Sequence, residues 1–428
     1  MVRSWSCAIL TLGLTLVAPM RGWAQGRPSG GDSVALLARA RRLHAEVPLI
    51  DGHNDLGAMI HARTNGNLIT MDPDKTLDLD TDLPRLKKGL VGGQFFAAFV
   101  PQLYIDRGAA RYVLEEINII HRFTARSPSL MFATTAADIL RAHRAGKIAA
   151  LIGIEGGHAI ENSLGTLRVF YDLGVRYMTL THGGTTPWAD AATDQPKHDG
   201  LTRFGEEVVH EMNRLGMMVD ISHVSDAAMM DALRVTEAPI IFSHSSARAL
   251  ADHRRNVPDS ILAMIPKNRG IVMVNFYPGF INATAARQSA EVLDKEREYQ
   301  AKYPEDRVRA RREYLAWRMA YRTEPGTLQE VANHIDHIRK IAGIDNIGIG
   351  ADYGSLTQHP VGLEDVTRYP YLTVELLRRG YTDGQVKQIL GLNILRVMGE
   401  VEQAAKRLQR ARPPSTATIE ELDGKPVP

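Results

Sequence analysis

The sequence predicts a parallel (β/α)8 barrel of the TIM type, on three observations. About eight short aliphatic or β-branched runs recur along the chain. Most are followed by a polar or Gly-containing stretch and then by residues at helical apolar spacing. No G-x-G-x-x-G follows an early run, which weakens the rival fold, an open doubly wound sheet built around a dinucleotide. Strands and helices alternating over eight units are what closes a barrel.

The candidate strands are 48–51, 92–100, 149–155, 176–181, 217–222, 239–243, 270–276 and 346–351, and amphipathic stretches such as 164–173 and 226–234 supply the helices between them. Two regions depart from the alternation. Residues 64–84 form a long, Asp-rich connection, and 283–326 form a densely charged insertion rich in Glu, Arg, Ala and Leu, which reads as a solvated helical flap. The expected layout is a leader at 1–24, a helical segment at 25–46, a barrel over 47–400, and the end of a helix with a loose Pro/Ser/Thr-bearing tail over 401–428. No internal repeat is visible.

With 428 residues, 44% hydrophobic and 23% charged, the chain is far from the composition of disorder and long enough for one large barrel. Fifty-one bases against 49 acids give a net charge of +2, which argues against a nucleic-acid partner that needs a strong basic field. At the N-terminus, Arg3, an apolar run from Cys7 to Met20 and the small residue Ala24 have the pattern of a cleavable secretory leader. The run is too short and too interrupted for a comfortable membrane span of roughly 20 residues. Cleavage after Ala24 removes Arg3 and Arg21 and no acid, leaving 49 bases and 49 acids, and it removes the only cysteine. The expectation is a soluble exported protein, periplasmic rather than fully secreted, without a membrane anchor or disulfide. Any homodimer it forms is then non-covalent.

Polar residues gather where these strands end, which is where barrel active sites lie. Leu49-Ile50 runs into Asp51-Gly52-His53-Asn54-Asp55; 150–154 ends at Glu155-Gly156-Gly157; 217–221 ends at Ser222-His223; 239–242 ends at Ser243-His244. Each residue has an ordinary reading by itself. A strand-end His is commonly a hydrogen-bonded structural residue, Asp55 could cap a helix, and Glu155 could answer a nearby base. Together they would bury charge at substantial cost unless a cation compensates it. Five N/O ligands suit two divalent metals that share one carboxylate, with Glu155 as the natural bridge. Asp51 is a candidate for orienting a ligand. Trp188 reads as a loop-packing aromatic, and His334 and His337 as a helix face packed on the barrel; His158, His198 and His359 have no evident partners.

The same motifs, taken in order, resemble the membrane dipeptidase (renal dipeptidase) family of dinuclear zinc peptidases. The likeness runs through Asp51-Gly52-His53-Asn54-Asp55, Asp82-Leu83-Pro84-Arg85-Leu86, Gly153-Ile154-Glu155-Gly156-Gly157, Thr181-His182, Pro187-Trp188-Ala189-Asp190, Asp220-Ile221-Ser222-His223, Ser243-His244-Ser245-Ser246-Ala247, Arg254-Arg255-Asn256-Val257-Pro258-Asp259, His334-Ile335-Asp336-His337 and Gly348-Ile349-Gly350-Ala351-Asp352. It spans essentially Val47 to Met398.

The resemblance implies a barrel of the metal-dependent hydrolase kind, with His53 and Asp55 on one Zn2+, His223 and His244 on a second, and Glu155 bridging them. It further implies that His182 and Arg255 contact the substrate or its developing oxyanion and that Asp352 handles the proton. The implied reaction is hydrolysis of a small dipeptide by a metal-bridging hydroxide, with tolerance of a D-residue on the C-terminal side. The planar fork of Arg255 suits a dipeptide's carboxylate. The identity of the metal rests on the resemblance, because mixed His/carboxylate ligation also suits Mn, Co or Fe. Two departures fall on substrate-facing loops: Gly183-Gly184 follows His182 where members commonly carry Asn, and Tyr353-Gly354 follows Asp352 where many have a second Asp and then Gly. They leave open a metal-dependent amidase acting on N-acyl amino acids or β-lactams, and an inactive solute-binding relative.

Overall fold

The computed structural model describes residues 30–424 apart from Asp106, Ser355 and Thr357. The leader read at 1–24 lies outside the described residues. Nine strands form the sheet: β1 (Leu49–Asn54), β2 (Val91–Phe99), β3 (Leu130–Phe132), β4 (Ile148–Glu155), β5 (Val175–Thr179), β6 (Met218–Asp220), β7 (Ile241–Phe242), β8 (Ile271–Val274) and β9 (Ile347–Ile349). All pairings are parallel, and a β2–β4 pairing closes eight of the strands into a barrel. The eight segments read from the sequence are these eight strands. β3 was not anticipated. It pairs with the first half of β4 on the edge where β5 takes the second half, so it wedges the barrel's lower rim without joining the ring.

Side chains along the strands alternate between two apolar compartments, as the two-residue period of a strand requires. Ile50, Phe95, Leu151, Tyr177, Met218, Ile241, Ile271 and Met273 fill the barrel interior. Their neighbours Leu49, Phe96, Ile152, Met178, Val219, Phe242 and Val272 face the surrounding helices. Both faces are buried, which explains why the strands read as continuous aliphatic runs. The helix Asn393–Ala411 sends Ile394, Val397, Met398 and Val401 into the interior cluster and so stoppers the N-terminal end of the barrel. The opposite end, where the strands finish, is left to polar residues.

Several strands end one or two residues earlier than their composition suggests. At β6 and β7 the cause is visible: the backbone N–H groups of Ser222 and Ser243 donate to Oδ1 of Asp220 instead of continuing the ladder. The charged insertion forms two helices, Ala283–Lys302 and Arg307–Ala320, laced by exposed pairs such as Lys295–Glu298 and Arg309–Glu313. The described part of the C-terminal segment, 412–424, expected to be loose, is tied down. Arg168 donates to the Ser415 carbonyl, and Asp423, at the end of the helix Ile419–Asp423, accepts from the Thr202 hydroxyl and the Phe204 N–H. Its polar residues serve as hydrogen-bonding partners, which composition alone does not distinguish from a solvated tail. Among the described residues no helix is long and apolar enough to cross a membrane.

Candidate metal centre and active site

The site begins with an irregularity in β1. Asp51 pairs with Gln94 but Asn54 with Phe96, so three steps on β1 answer two on β2. One extra residue reverses the in/out alternation and turns His53 into the barrel mouth. Asp51 stays behind and accepts the N–H groups of His53 and Ala351 at 3.1 and 3.0 Å and the hydroxyl of Tyr369. It thereby staples β1 to the end of β9. Burial pushes its carboxyl up to about 6.

On β4 the alternation is regular. Leu151, Gly153 and Glu155 share the inward parity, and Glu155 sits where the apolar filling stops. Gly153 is required by its neighbour, since a Cβ there would lie 2.0 Å from the ring of Tyr177. The ring fills that space and brings its hydroxyl to His53.

Two of the three ligand-like histidines have the far nitrogen fixed, whereas Nδ1 of the third, His223, is buried with no hydrogen-bond partner among the described residues. Tyr177 Oη donates to the Gly52 carbonyl at 3.1 Å and so accepts from His53 Nδ1–H at 3.0 Å. His53 Nε2 is left with its lone pair turned into the site. Ser243 Oγ donates to Asp220 Oδ2 at 2.5 Å and so accepts from His244 Nδ1–H at 2.7 Å, which frees His244 Nε2 in the same way. His223 follows β6 in a left-handed conformation (φ 68°) that a bulky residue adopts only under constraint.

The freed atoms converge. His53 Nε2 lies 3.4 Å from Asp55, 3.5 Å from Glu155 and 3.8 Å from Asp352. Glu155 Oε1 lies 2.9 Å from His223 Nε2 and 3.3 Å from His244 Nε2. Three triads with metal-ligand spacing result among the described residues: His53/Asp55/Glu155 and Glu155/His223/His244, which share Glu155, and His53/His244/Asp352. The donor set passes a test of fit. His53 Nε2 is buried with no hydrogen-bond partner among the described residues, and it faces three carboxylates. A borderline divalent cation takes this mixture of imidazole and carboxylate.

Electrostatics agree with ligation at His223, His244 and Glu155, and at His53 the surrounding negative groups call for a positive charge, which a proton or a cation supplies. Burial, reinforced by the positive charge of Arg255, holds His223 and His244 well below the ordinary imidazole range, in the neutral form that binds metal. Burial would raise Glu155, but the surrounding histidines outweigh it and hold the carboxylate well below its usual range. For His53, burial pulls down while Tyr177, Glu155 and Asp55 outweigh it upward. Asp352 is pushed up to about 7, chiefly by burial and further by Asp55 and Glu155.

A cavity of about 450 Å³ opens over this cluster, with Asp55, Glu155, His182, His223 and Asp352 in its polar wall and Phe99 and Phe280 in its apolar one. His182 is the most exposed imidazole of the group, its Nε2 3.8 Å from Glu155 and its ring against Phe99 and His223. Asp352, three residues beyond β9, is at φ 71° and accepts from Asn275 Nδ2 at 2.9 Å. Arg255 lies behind the wall, 2% exposed, with its guanidinium 5.2 Å from the Phe280 ring. It donates to Ser245 Oγ and the His244 carbonyl, and its Nε has no partner among the described residues.

All eight residues singled out in the sequence therefore meet at one end of the barrel. Tyr177, Asp220 and Asn275 were not singled out, although Asp220 stands in the Asp-Ile-Ser-His motif and Tyr177 has the inward parity of a candidate strand. Trp188 is fully buried against Phe204. His334 packs between the Ala247 N–H and the Ile281 carbonyl, and His337 bonds Asp259; both lie away from the cluster. The glycines after His182 sit beneath Gln102, whose side chain occupies the space a Cβ on Gly184 would take.

The family profile described as Membrane dipeptidase (Peptidase family M19) matches residues 37–412. Dipeptidase 3 of Mus musculus is 39% identical over 377 residues, covering 87% of this chain and 68% of its own length. Dipeptidase 3 of Rattus norvegicus is likewise 39% identical, covering 87% and 69%. The crystal structure of the probable dipeptidase PvdM from Pseudomonas aeruginosa superposes with a TM-score of 0.76 at 25% identity, over 87% of this chain and 100% of that one. With its ligand-like cluster at the mouth of a closed parallel barrel, the chain belongs to the membrane dipeptidase family, peptidase family M19, and is a metallo-dipeptidase.

Proposed function

We propose that this chain is an exported, dinuclear zinc dipeptidase that hydrolyses small dipeptides with a free C-terminal carboxylate and accepts a D-residue at that end. The observation that carries the reading is the pair of ligand triads sharing Glu155 beneath a cavity of about 450 Å³, a volume suited to a small ligand. In it, His53 and Asp55 hold one ion, His223 and His244 the other, and Glu155 both.

Two such ions would acidify a water toward neutrality and polarise the scissile carbonyl. Asp352, fixed by Asn275 through one oxygen, has the other turned toward His53. From there it takes the proton released by the attacking water and returns it to the departing amine. His182, free to reach into the cavity, donates to the carbonyl oxygen as negative charge develops on it. Arg255, whose buried charge and free Nε lack a counter-ion within hydrogen-bonding distance among the described residues, supplies the positive end of the site to the substrate's carboxylate.

The test is a hydrolysis panel on the purified metal-loaded protein: L,L and L,D dipeptides, their C-terminal amides, N-acyl amino acids and a β-lactam. Turnover of free dipeptides, including L,D pairs, well above that of the amides is the expected result. Turnover confined to N-acyl amino acids or β-lactams would replace the dipeptide reading, and binding without turnover of any amide would leave only a solute-binding role. Export is tested separately, by finding whether the N-terminus of the protein isolated from its native cells begins after Ala24.

A further inference from the structure

We infer that Asp80, on the Asp-rich connection before the helix Leu83–Lys88, is a positioning residue for the turn that carries Asp352. The inference rests on the proton-carrying role proposed for Asp352. Asp80 is 8% exposed, and both of its carboxylate oxygens are used. Oδ1 accepts the backbone N–H of Gly354 at 2.8 Å, and Oδ2 accepts His359 Nε2 at 2.7 Å. Its carbonyl accepts the N–H of Val366 at 3.1 Å. One residue on a distant connection thus holds the loop after β9 at three points, the first of them two residues beyond Asp352.

That turn needs holding. Asp352 (φ 71°) and Gly354 (φ 113°) are both left-handed, a combination costly for Asp352 and unattainable for a β-branched residue in place of Gly354. Gly354 also packs directly on the backbone of Asp55, where a Cβ would come within 2.9 Å. Between them, Tyr353 accepts the Asp55 N–H at 2.8 Å through its carbonyl, while its ring is stacked by His359. The next residue of the connection completes the clamp: Thr81 Oγ1 accepts Asn54 Nδ2 at 3.1 Å, and Asn54 stands between His53 and Asp55. Consecutive residues Asp80 and Thr81 therefore grip the two strand ends on which a proton carrier and two metal ligands sit. Tyr353-Gly354 is where this chain departs from the sequence expected after Asp352, and the Asp80–Gly354 bond supplies from outside the loop a fixed acceptor for its backbone.

The experiment compares Asp80→Ala, Asp80→Asn and Asp352→Asn, singly and as the Asp80→Ala/Asp352→Asn double variant, by kcat and KM on a dipeptide the unaltered enzyme hydrolyses, with metal content alongside. Asp80→Ala is expected to lose about 10- to 100-fold in kcat, the range for groups that orient a catalytic residue, with KM within about threefold and metal retained. Asp80→Asn, whose amide oxygen still accepts from Gly354, should recover most of that loss. In the Asp352→Asn background Asp80→Ala should add little, because the two act as a unit. If Asp80→Ala does not fold, His359→Phe keeps the stacking on Tyr353, removes one bond of the clamp, and should lower kcat alone. Wild-type kcat in Asp80→Ala or His359→Phe, or a full additional loss in the double variant, overturns the inference. Wild-type kcat in Asp352→Asn would instead overturn the role of Asp352 on which it rests.

Discussion

Tyr177 Oη lies 3.0 Å from His53 Nδ1 and 3.1 Å from the Gly52 carbonyl, and this pair of bonds decides which nitrogen of His53 faces the site. Tyr177→Phe leaves a buried N–H without an acceptor, at a cost of about 1–3 kcal/mol, and releases the tautomer. Metal affinity should fall about 10- to 100-fold, read by competition with a chromophoric chelator. Unchanged affinity would mean that the tyrosine only fills space.

Gly153 offers the steric counterpart. A Cβ placed 2.0 Å from the fully buried ring of Tyr177 cannot be accommodated by a flexible side chain giving way. Gly153→Ala should destabilise the fold by at least about 1–3 kcal/mol and weaken metal binding with it. Gly399→Ala, in a helix with nothing within 4 Å of the added methyl, is the matched control and should be neutral or slightly stabilising in thermal melts.

Acid should unfold the barrel through its buried neutral histidines as well as through its metal site. His334 accepts the Ala247 N–H on Nδ1 and donates Nε2–H to Ile281, and burial lowers it to about 4 from an ordinary 6.5. The unfolded chain binds this proton first, so the contribution is complete above about pH 6.5 and is lost as pH falls toward 4. The loss is about 3 kcal/mol, and none of it recurs below that range. Denaturant melts of the metal-free protein between pH 7 and 4 should show the fall, and His334→Gln should flatten it. An equally steep fall in that variant would assign it elsewhere.

Arg255→Met removes a buried positive charge that faces Asp352 and Glu155. For substrates with a free carboxylate kcat/KM should drop by 10-fold or more, roughly the worth of one charge-assisted hydrogen bond, and C-terminal amides should change little. Equal losses on both would move Arg255 from substrate recognition to the general field of the site.

The barrel was legible because its strands are buried on both faces and so read as aliphatic runs. The ligand-like residues were legible because His53, Asp55, Glu155, His223 and His244 each stand where such a run stops. What escaped has physical reasons. β3 is three residues long and stands outside the ring of eight. The bulge in β1 that turns His53 inward is a matter of pairing register, which one strand cannot reveal by itself. Asp80 acts through side-chain bonds to partners 274 and 279 residues away and Tyr177 through bonds to partners 124 and 125 residues away, and no local pattern encodes such contacts. Over 412–424 several polar groups, among them Arg412, the Ser415 carbonyl and Asp423, are used internally, which composition does not show.

Glu155 is the residue on which the account turns, since the two triads assigned to the ions share it. The most direct test is metal content per chain, measured by mass spectrometry of the purified protein and of Glu155→Gln, together with dipeptide turnover. Two divalent ions in the unaltered protein, with occupancy and turnover both lost in Glu155→Gln, is the expected result. Two ions and undiminished turnover in Glu155→Gln would contradict it.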